Sequence, residues 1–258
     1  SSAASDVYKR QITNRGKGVI EDHFDHAFEL ETNLKDNASK QHIYEELKAI
    51  ANLANVYFIR QKETKGLADA ILRAKSFVGN EPFGILYGDD VILSEDPVIG
   101  QLCRAYEEFG FGAVGVKEVP REDVPKYCTL DVTPLRDNIM KCNNIIEKPT
   151  PDQIMSCYSI LGRVVMPPEI FGIIEQTPVD KKSGEVYFTD SMVTLAKQSG
   201  LTAVDFVGTR YDMGNKLGIM KANCEVALTH PEIGADFKAY LQELVRTCLL
   251  YTSPSPRD

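Results

Sequence analysis

Hydrophobic positions recur along this chain with two distinct periods. Val19, Ile20, Phe24, Ala27 and Phe28 fall at helical spacing, as do Ile43, Leu47, Ile50 and Ala51, so two helices are predicted ahead of the first clear strand, residues 56–59 (VYFI). A polar stretch with a glycine, QKETKG, leads to a helix through Leu67, Ile71, Ala74 and Val78 and a strand over residues 83–87. Strand, helix, strand implies a parallel sheet, because parallel neighbours need a crossover and the crossover is usually helical. Binding sites in such sheets lie at the strand C-termini.

After residue 97 the pattern changes. A helix through Val98, Leu102 and Tyr106 leads to the apolar strand GAVGVKEV, and YCTLDVT and NIMKCNNIIEK then read as antiparallel strands joined by a PLRDN turn. The sheet is therefore expected to be mixed. A strand YSILGRVVM, a helix after Pro167 and Pro168, a helix through GEVYFTDSMVTLAKQ, a strand TAVDFVG and two helices from Asn215 to Val245 complete the series. Residues 1–10 (SSAASDVYKR) and 249–258 (LLYTSPSPRD) show no period that buries a face, resemble translated sequencing adapter, and are expected to be tails. The native segment then spans 11–248.

With 258 residues, 43% hydrophobic and 26% charged, the chain has the composition of a globular protein of one or two domains. Its net charge of −8 argues against a general affinity for nucleic acid or anionic membrane, so any bound phosphate must be held by local chemistry. No run approaches the roughly 18 apolar residues of a bilayer span, and no basic-then-apolar leader opens the chain, so a cytoplasmic location is expected. Cys103, Cys128, Cys142, Cys157, Cys224 and Cys248 include no C-x-x-C pair and read as reduced structural thiols. His23 and His26 stand three apart, a spacing that can hold a metal, but read as helix-surface histidines.

Three acidic clusters carry candidate chemistry. FGILYGDDVIL is an apolar strand ending in Gly88 and two carboxylates, Asp89 and Asp90; one or two such groups plus substrate phosphate satisfy Mg²⁺, which takes oxygen ligands and keeps several waters. Asp212 in RYDMGNK would supply a further acid, although two ordinary turn aspartates are the plainer reading of these residues alone. In IIEKP, Glu147 and Lys148 close a strand, where an acid can accept from sugar hydroxyls while the lysine meets a phosphate as a point charge; an exposed ion pair is the alternative. In GEVYFTD, Glu185 and Asp190 open a helix, which is also ordinary capping chemistry.

Taken in order, ITNRGKGVIEDHFDHAFELE, RQKETKGLADAI, LYGDDVIL, IIEKP, SILGRVV, GEVYFTD and YDMGNKLGIMKA resemble the nucleoside-diphosphate-sugar pyrophosphorylases, specifically the bacterial UTP:glucose-1-phosphate uridylyltransferases, over residues 12–245. The resemblance implies an α/β, Rossmann-like nucleotidyltransferase fold with a mixed central sheet, occupying 11–248. It implies that Gln61 and Gly66 touch uracil, that Asp89 and Asp212 hold Mg²⁺ with Asp90 orienting the metal waters, and that Glu147, Gly162 and Glu185 meet glucose hydroxyls. Lys148 would bind the phosphate of glucose 1-phosphate, whose oxygen attacks the α-phosphorus of UTP and expels pyrophosphate. The catalytic pair would be Lys148 and Asp89. Phosphoryl-type transfer of this kind rests mostly on positioning and charge neutralisation.

Some family features are absent from the sequence or altered. The G-x-G-T-R loop and the K-E-M-L-P segment do not occur in it, so the fold is expected to lack the family's first strand and most of its second, leaving two open apolar edges, and the chain as written is expected to be inactive. Cys128 stands where the family usually has glycine, and GLADAI replaces the commoner GLGHAV, placing Asp69 in the nucleotide-side segment. A dTTP- or CTP-dependent relative is the alternative enzyme, and a non-catalytic nucleotide-sugar binding protein the alternative of another class. A GT-A-like glycosyltransferase fits less well, since YGDDV lacks D-x-D spacing. EDHFDHAFELE and YDMGNKLG favour UTP. A homo-oligomer in contact through the C-terminal helices is expected.

Overall fold

The computed structural model describes residues 8–52 and 55–251. Residues 1–7 and 252–258, most of the two expected tails, and the Cys248 side chain lie outside the described residues. The described residues open on a strand, β1 (Tyr8–Thr13), followed by three α-helices, α1 (Gly18–Phe24), α2 (Phe28–Lys35) and α3 (Gln41–Ala51), before β2 (Asn55–Arg60). Two short helices, α4 (Leu67–Leu72) and α5 (Lys75–Val78), precede β3 (Phe83–Leu86) and β4 (Asp90–Leu93). Next come α6 (Val98–Phe109), β5 (Gly112–Glu118), the hairpin β6 (Cys128–Arg136) and β7 (Ile139–Glu147), and β8 (Tyr158–Met166). The C-terminal third holds α7 (Ile170–Gln176), α8 (Phe188–Gln198), β9 (Leu201–Asp205), β10 (Thr209–Asp212), α9 (Lys216–Thr229) and α10 (Gly234–Tyr251).

The main sheet has six strands in the order β3-β8-β5-β9-β7-β6, antiparallel except where β5 runs parallel to β9. The expected mixed sheet is present. Apolar residues of β5 and β8 alternate between two cores: Val114, Val116, Ile160 and Val164 face α4, α7 and α8, whereas Ala113, Leu161 and Val165 face α6. Burial on both faces explains why GAVGV and YSILGRVVM read as continuous apolar runs rather than alternating ones. A register shift between Val114 and Val116 bends β5 at this point.

Several expectations need correction. A strand, not a pair of helices, comes first: β1 pairs parallel with β2 from Tyr8 to Thr13, so it takes in three residues of the expected N-terminal tail. Its polar sequence hides it, because packing is supplied by the Arg10 guanidinium over the rings of Phe77 at 4.5 Å and Tyr57 at 5.8 Å rather than by apolar side chains. The first predicted helix is two, broken at Asp25–Ala27, and Val19 and Phe28 are exposed. Its histidines therefore share no helix; His26 lies past the end of α1 and meets Glu31 at 2.9 Å. The helix predicted through Val78 is likewise two, divided at Arg73–Ala74. α10 continues to Tyr251, into the segment read as a C-terminal tail.

β2 and β3 share no sheet. β3 is bonded to β8 alone and β1 to β2 alone among the described residues, so each presents an open edge. That agrees with the expectation of two open edges, and Leu86 on β3 is 56% exposed. The unpredicted pair is β4 with β10, antiparallel, with Asp90 directly opposite Asp212. Among the described residues no helix is long and apolar enough to cross a membrane, and five cysteines, Cys103, Cys128, Cys142, Cys157 and Cys224, are free.

Candidate active site

Two adjoining cavities, of 360 and 610 Å³, share Leu67, Tyr87 and Asp89 as walls. The smaller is lined by Asp89, Glu147, Lys148, Glu185 and Asp212, five of the residues singled out from sequence, from four separate segments of the chain. The larger lies between β1 and the end of β3 and includes Gln61. Asp89 therefore stands at the junction of two halves of one cleft. Gly66 and Gly162 are not among the lining residues. The Gly66 carbonyl instead accepts from Gln61 Nε2 at 3.4 Å, and Gly162 packs against Asp90 so closely that a Cβ would lie 2.8 Å from that residue's Cβ. Its φ of +75° adds backbone strain for any other residue.

Adjacent residues on a strand ordinarily point to opposite faces, yet Glu147 and Lys148 both line the cleft. The reason is local: Lys148 has φ of +45°, which ends the strand and swings its side chain round. A left-handed backbone at a non-glycine residue costs about 1–2 kcal/mol and persists where the surroundings impose it. Here the Lys148 N–H donates to the Tyr127 carbonyl at 2.8 Å. Nζ rests 5.7 Å above the Tyr187 ring, and Lys148 has no carboxylate partner within ion-pair distance among the described residues. An exposed cation facing a cavity over an aromatic face can receive an anion. Burial pushes the Glu147 carboxyl above its ordinary value of 4.5, with the Lys148 charge opposing.

The three aspartates are not equivalent. Asp90 is 6% exposed and its Oδ1 is bound by Arg210 Nε. Asp89 is exposed, and its carbonyl accepts from the Met213 N–H at 2.8 Å, which ties the β3–β4 turn to the end of β10. Asp212 Oδ2 accepts from the Tyr127 hydroxyl at 3.0 Å and lies 3.7 Å from Arg210 Nη2, while Oδ1 accepts from the Gly214 N–H at 2.8 Å. Burial would raise the Asp212 carboxyl, but the Gly214 and Tyr127 donors and the Arg210 charge outweigh it and hold the group below the carboxylate range. Asp89 and Asp212 converge: a Cβ placed on Gly214 would lie 2.9 Å from Asp212 Oδ1 and 4.0 Å from Asp89 Oδ2.

The same turn is held from β8. Arg163 donates to the carbonyls of Gly162 at 2.7 Å, Asp90 at 3.2 Å and Tyr87 at 3.4 Å. On the far side α9 abuts Asp212 so tightly that a Cβ on Gly218 would fall 1.9 Å from its carbonyl oxygen. Sequence reasoning missed Arg163, Arg210 and the hydroxyl of Tyr127. Arg210 had a signal, since it stands two residues before Asp212 and shares its face of a strand. The other two did not. Asp90 is thus engaged by Arg210 through Oδ1 while remaining on the wall of the smaller cavity. Cys128, flagged as a possible obstruction, is 3% exposed, with Sγ accepting from the Ile160 N–H at 3.3 Å and burial pushing its thiol up to about 12.

Asp89 and Asp212 fit a hard divalent cation: both are oxygen donors, they converge, and neither is consumed by a bidentate ion pair. Among the described residues no group of three or more His, Cys, Asp or Glu side chains could hold a metal, so ligand and water would complete the shell.

The nucleotidyl transferase family profile matches residues 7–228. The chain is 40% identical over 233 residues to a UTP–glucose-1-phosphate uridylyltransferase of Staphylococcus epidermidis, covering 90% of this chain and 80% of that protein. It is 38% identical over 236 residues to UTP–glucose-1-phosphate uridylyltransferase YngB of Bacillus subtilis, covering 91% and 78%. Among solved structures, UTP-bound UGPase from Acinetobacter baumannii superposes with a TM-score of 0.79 at 30% identity, covering 92% of this chain and 83% of that one. A UDP-glucose pyrophosphorylase complexed with UDP-glucose gives 0.75 at 28%, covering 92% and 81%.

Replacing Arg210 by Met is expected to cost about 3–5 kcal/mol in urea unfolding, because Asp90 is left buried and uncompensated. The double change Arg210→Met with Asp90→Asn should recover much of that loss; equal loss in both would contradict the pairing. Glu147→Gln is expected to melt higher than the parent at neutral pH. The folded-state carboxyl of Glu147 is raised, so ionising it destabilises the fold as pH climbs from the ordinary glutamate value towards the raised one, and the gain should vanish below that window. A gain independent of pH would contradict the burial argument.

Proposed function

The chain belongs to the nucleotidyl transferase family, in its UTP–glucose-1-phosphate uridylyltransferase branch, and on that premise we propose that its cleft is built for joining UTP to glucose 1-phosphate, giving UDP-glucose and pyrophosphate, with turnover requiring the G-x-G-T-R loop that does not occur in this sequence. The observation that carries this is Lys148, a cation turned into the smaller cavity beside Glu147 and without an ion-pair partner among the described residues. Lys148 receives the sugar phosphate and draws its oxygen towards the α-phosphorus. Glu147 and Glu185 accept from sugar hydroxyls, which a cavity walled by two acids and a lysine suits.

Asp89 and Asp212 would hold Mg²⁺, which when bound would supply positive charge against the developing phosphate charge. The place of Asp89 at the junction of the two cavities, with Asp212 beside it on the wall of the smaller, supports that assignment. Catalysis of this kind is mostly positioning, and the arginines behind the carboxylates serve it by fixing where those oxygens lie. Gly162 acts on the sugar side as the spacer that lets Asp90 approach β8. The exposed apolar residues Met220, Val226, Tyr240 and Leu244 on α9 and α10 support a homo-oligomer contact there, and the free cysteines suit a reducing, cytoplasmic compartment.

Calorimetric titration of UDP-glucose into the chain with Mg²⁺ present tests this reading. Saturable binding is expected, weakened about tenfold or more by Lys148→Ala through loss of a charge-assisted contact. Absence of binding, or binding indifferent to Lys148, would overturn it.

A further inference from the structure

Gln61 is held in one orientation by two acceptors. Its Nε2 donates to Asp69 Oδ2 at 2.7 Å and to the Gly66 carbonyl at 3.4 Å. A side-chain amide has two N–H donors on one atom and an acceptor on the other, whereas an ionised carboxylate and a carbonyl can only accept. Both donors are thereby consumed, and Oε1 remains without a partner among the described residues, on a side chain that lines the 610 Å³ cavity. Asp69 is itself secured, since Arg73, the residue that caps the C-terminus of α4, binds its other oxygen. The Asp69 side chain is only 11% exposed, and the donors of Arg73 and Gln61 outweigh burial and keep it ionised.

We propose that Asp69, anchored by Arg73, is a positioning residue for nucleobase choice: it fixes the Gln61 amide so that only an acceptor, Oε1, faces the ligand. This rests on the reading of the cleft as a uridine nucleotide site. The pairing edge of uracil offers one donor, N3–H, between two acceptors, so an acceptor-only protein group at that edge is matched to N3–H. Thymine shares that donor. Cytosine in the same pose presents an N3 lone pair to Oε1 and is rejected, as happens when a site built around one hydrogen bond meets the analogue that cannot make it. The GLADAI wording of this chain thus contributes to specificity through a residue that need not touch the base.

Titration calorimetry of the full chain with UTP and with CTP tests the proposal. The unaltered chain is expected to prefer UTP. Asp69→Asn, which can donate as well as accept, lets the amide turn over and should narrow the preference by about tenfold, the worth of one hydrogen bond gained or lost. Arg73→Gln, at a half-exposed side chain, should narrow it by less, and carries the test alone if Asp69→Asn does not fold. Affinity for glucose 1-phosphate should stay unchanged in both. If both variants keep the full preference while Gln61→Ala abolishes it, the positioning role of Asp69 is overturned. If Gln61→Ala also keeps it, Gln61 does not face the base and the uridine assignment of this residue fails instead; tighter binding of CTP by the unaltered chain would overturn both.

Discussion

Two carboxylates directly opposite each other on neighbouring strands repel, and the site of this protein is built on such a pair. Asp90 and Asp212 are register partners in the β4–β10 ladder. Arg210, on the strand carrying Asp212, makes the pairing tenable by binding Asp90 through Nε and lying 3.7 Å from Asp212 through Nη2. One side chain both offsets the repulsion and sorts the acids. Asp90 is 6% exposed and bound by Arg210, whereas Asp89 and Asp212 stand more openly on the cleft, with Asp212 partly offset by Tyr127 and Gly214. Tyr127, which donates to Asp212 and is 3.3 Å from Arg210 Nη1, ties the arrangement to the segment leading into β6.

The larger fold supplies what this small ladder cannot. Two strands of four residues each are marginal by themselves, and β4–β10 is held because the turn before β4 is bound to β8 through Arg163 and the end of β10 abuts α9. β8 is in turn fixed by apolar burial on both faces of the six-stranded sheet. The hydrophobic cores thus set the position of the Asp89 and Asp212 carboxylates through two arginines. Lys148 belongs to the same scheme from another side: its N–H is bonded to the carbonyl of Tyr127, whose hydroxyl serves Asp212.

How much of this was legible in the sequence depended on the kind of signal each residue leaves. Continuous apolar runs marked β5 and β8, and helical spacing marked α3 and α6, because burial writes itself as period and composition. The candidate acids and Lys148 were legible as chemistry at strand ends, and the cleft does bring Asp89, Glu147, Lys148, Glu185 and Asp212 together. β1 was not legible, since YKRQIT packs through a guanidinium on aromatic rings and leaves no apolar alternation. β4 and β10 were too short to show a period. Asp89 and Asp90 look identical in GDDV; what separates them is a partner 120 residues away, which no local pattern reveals. For the same reason Asp69 stood out only as unusual wording, while its function lies in the bond to Gln61.

Arg210 holds Asp90 in a structural pair, and Asp89 and Asp212 are the carboxylates proposed for a divalent ion. A crystal grown with UDP-glucose and Mn²⁺ in place of Mg²⁺, with anomalous scattering collected at the manganese edge, tests it most directly. One anomalous peak is expected within bonding distance of both Asp89 and Asp212, with Asp90 still on Arg210. A peak on Asp90, or a bound nucleotide sugar with the metal held away from Asp212, would contradict it.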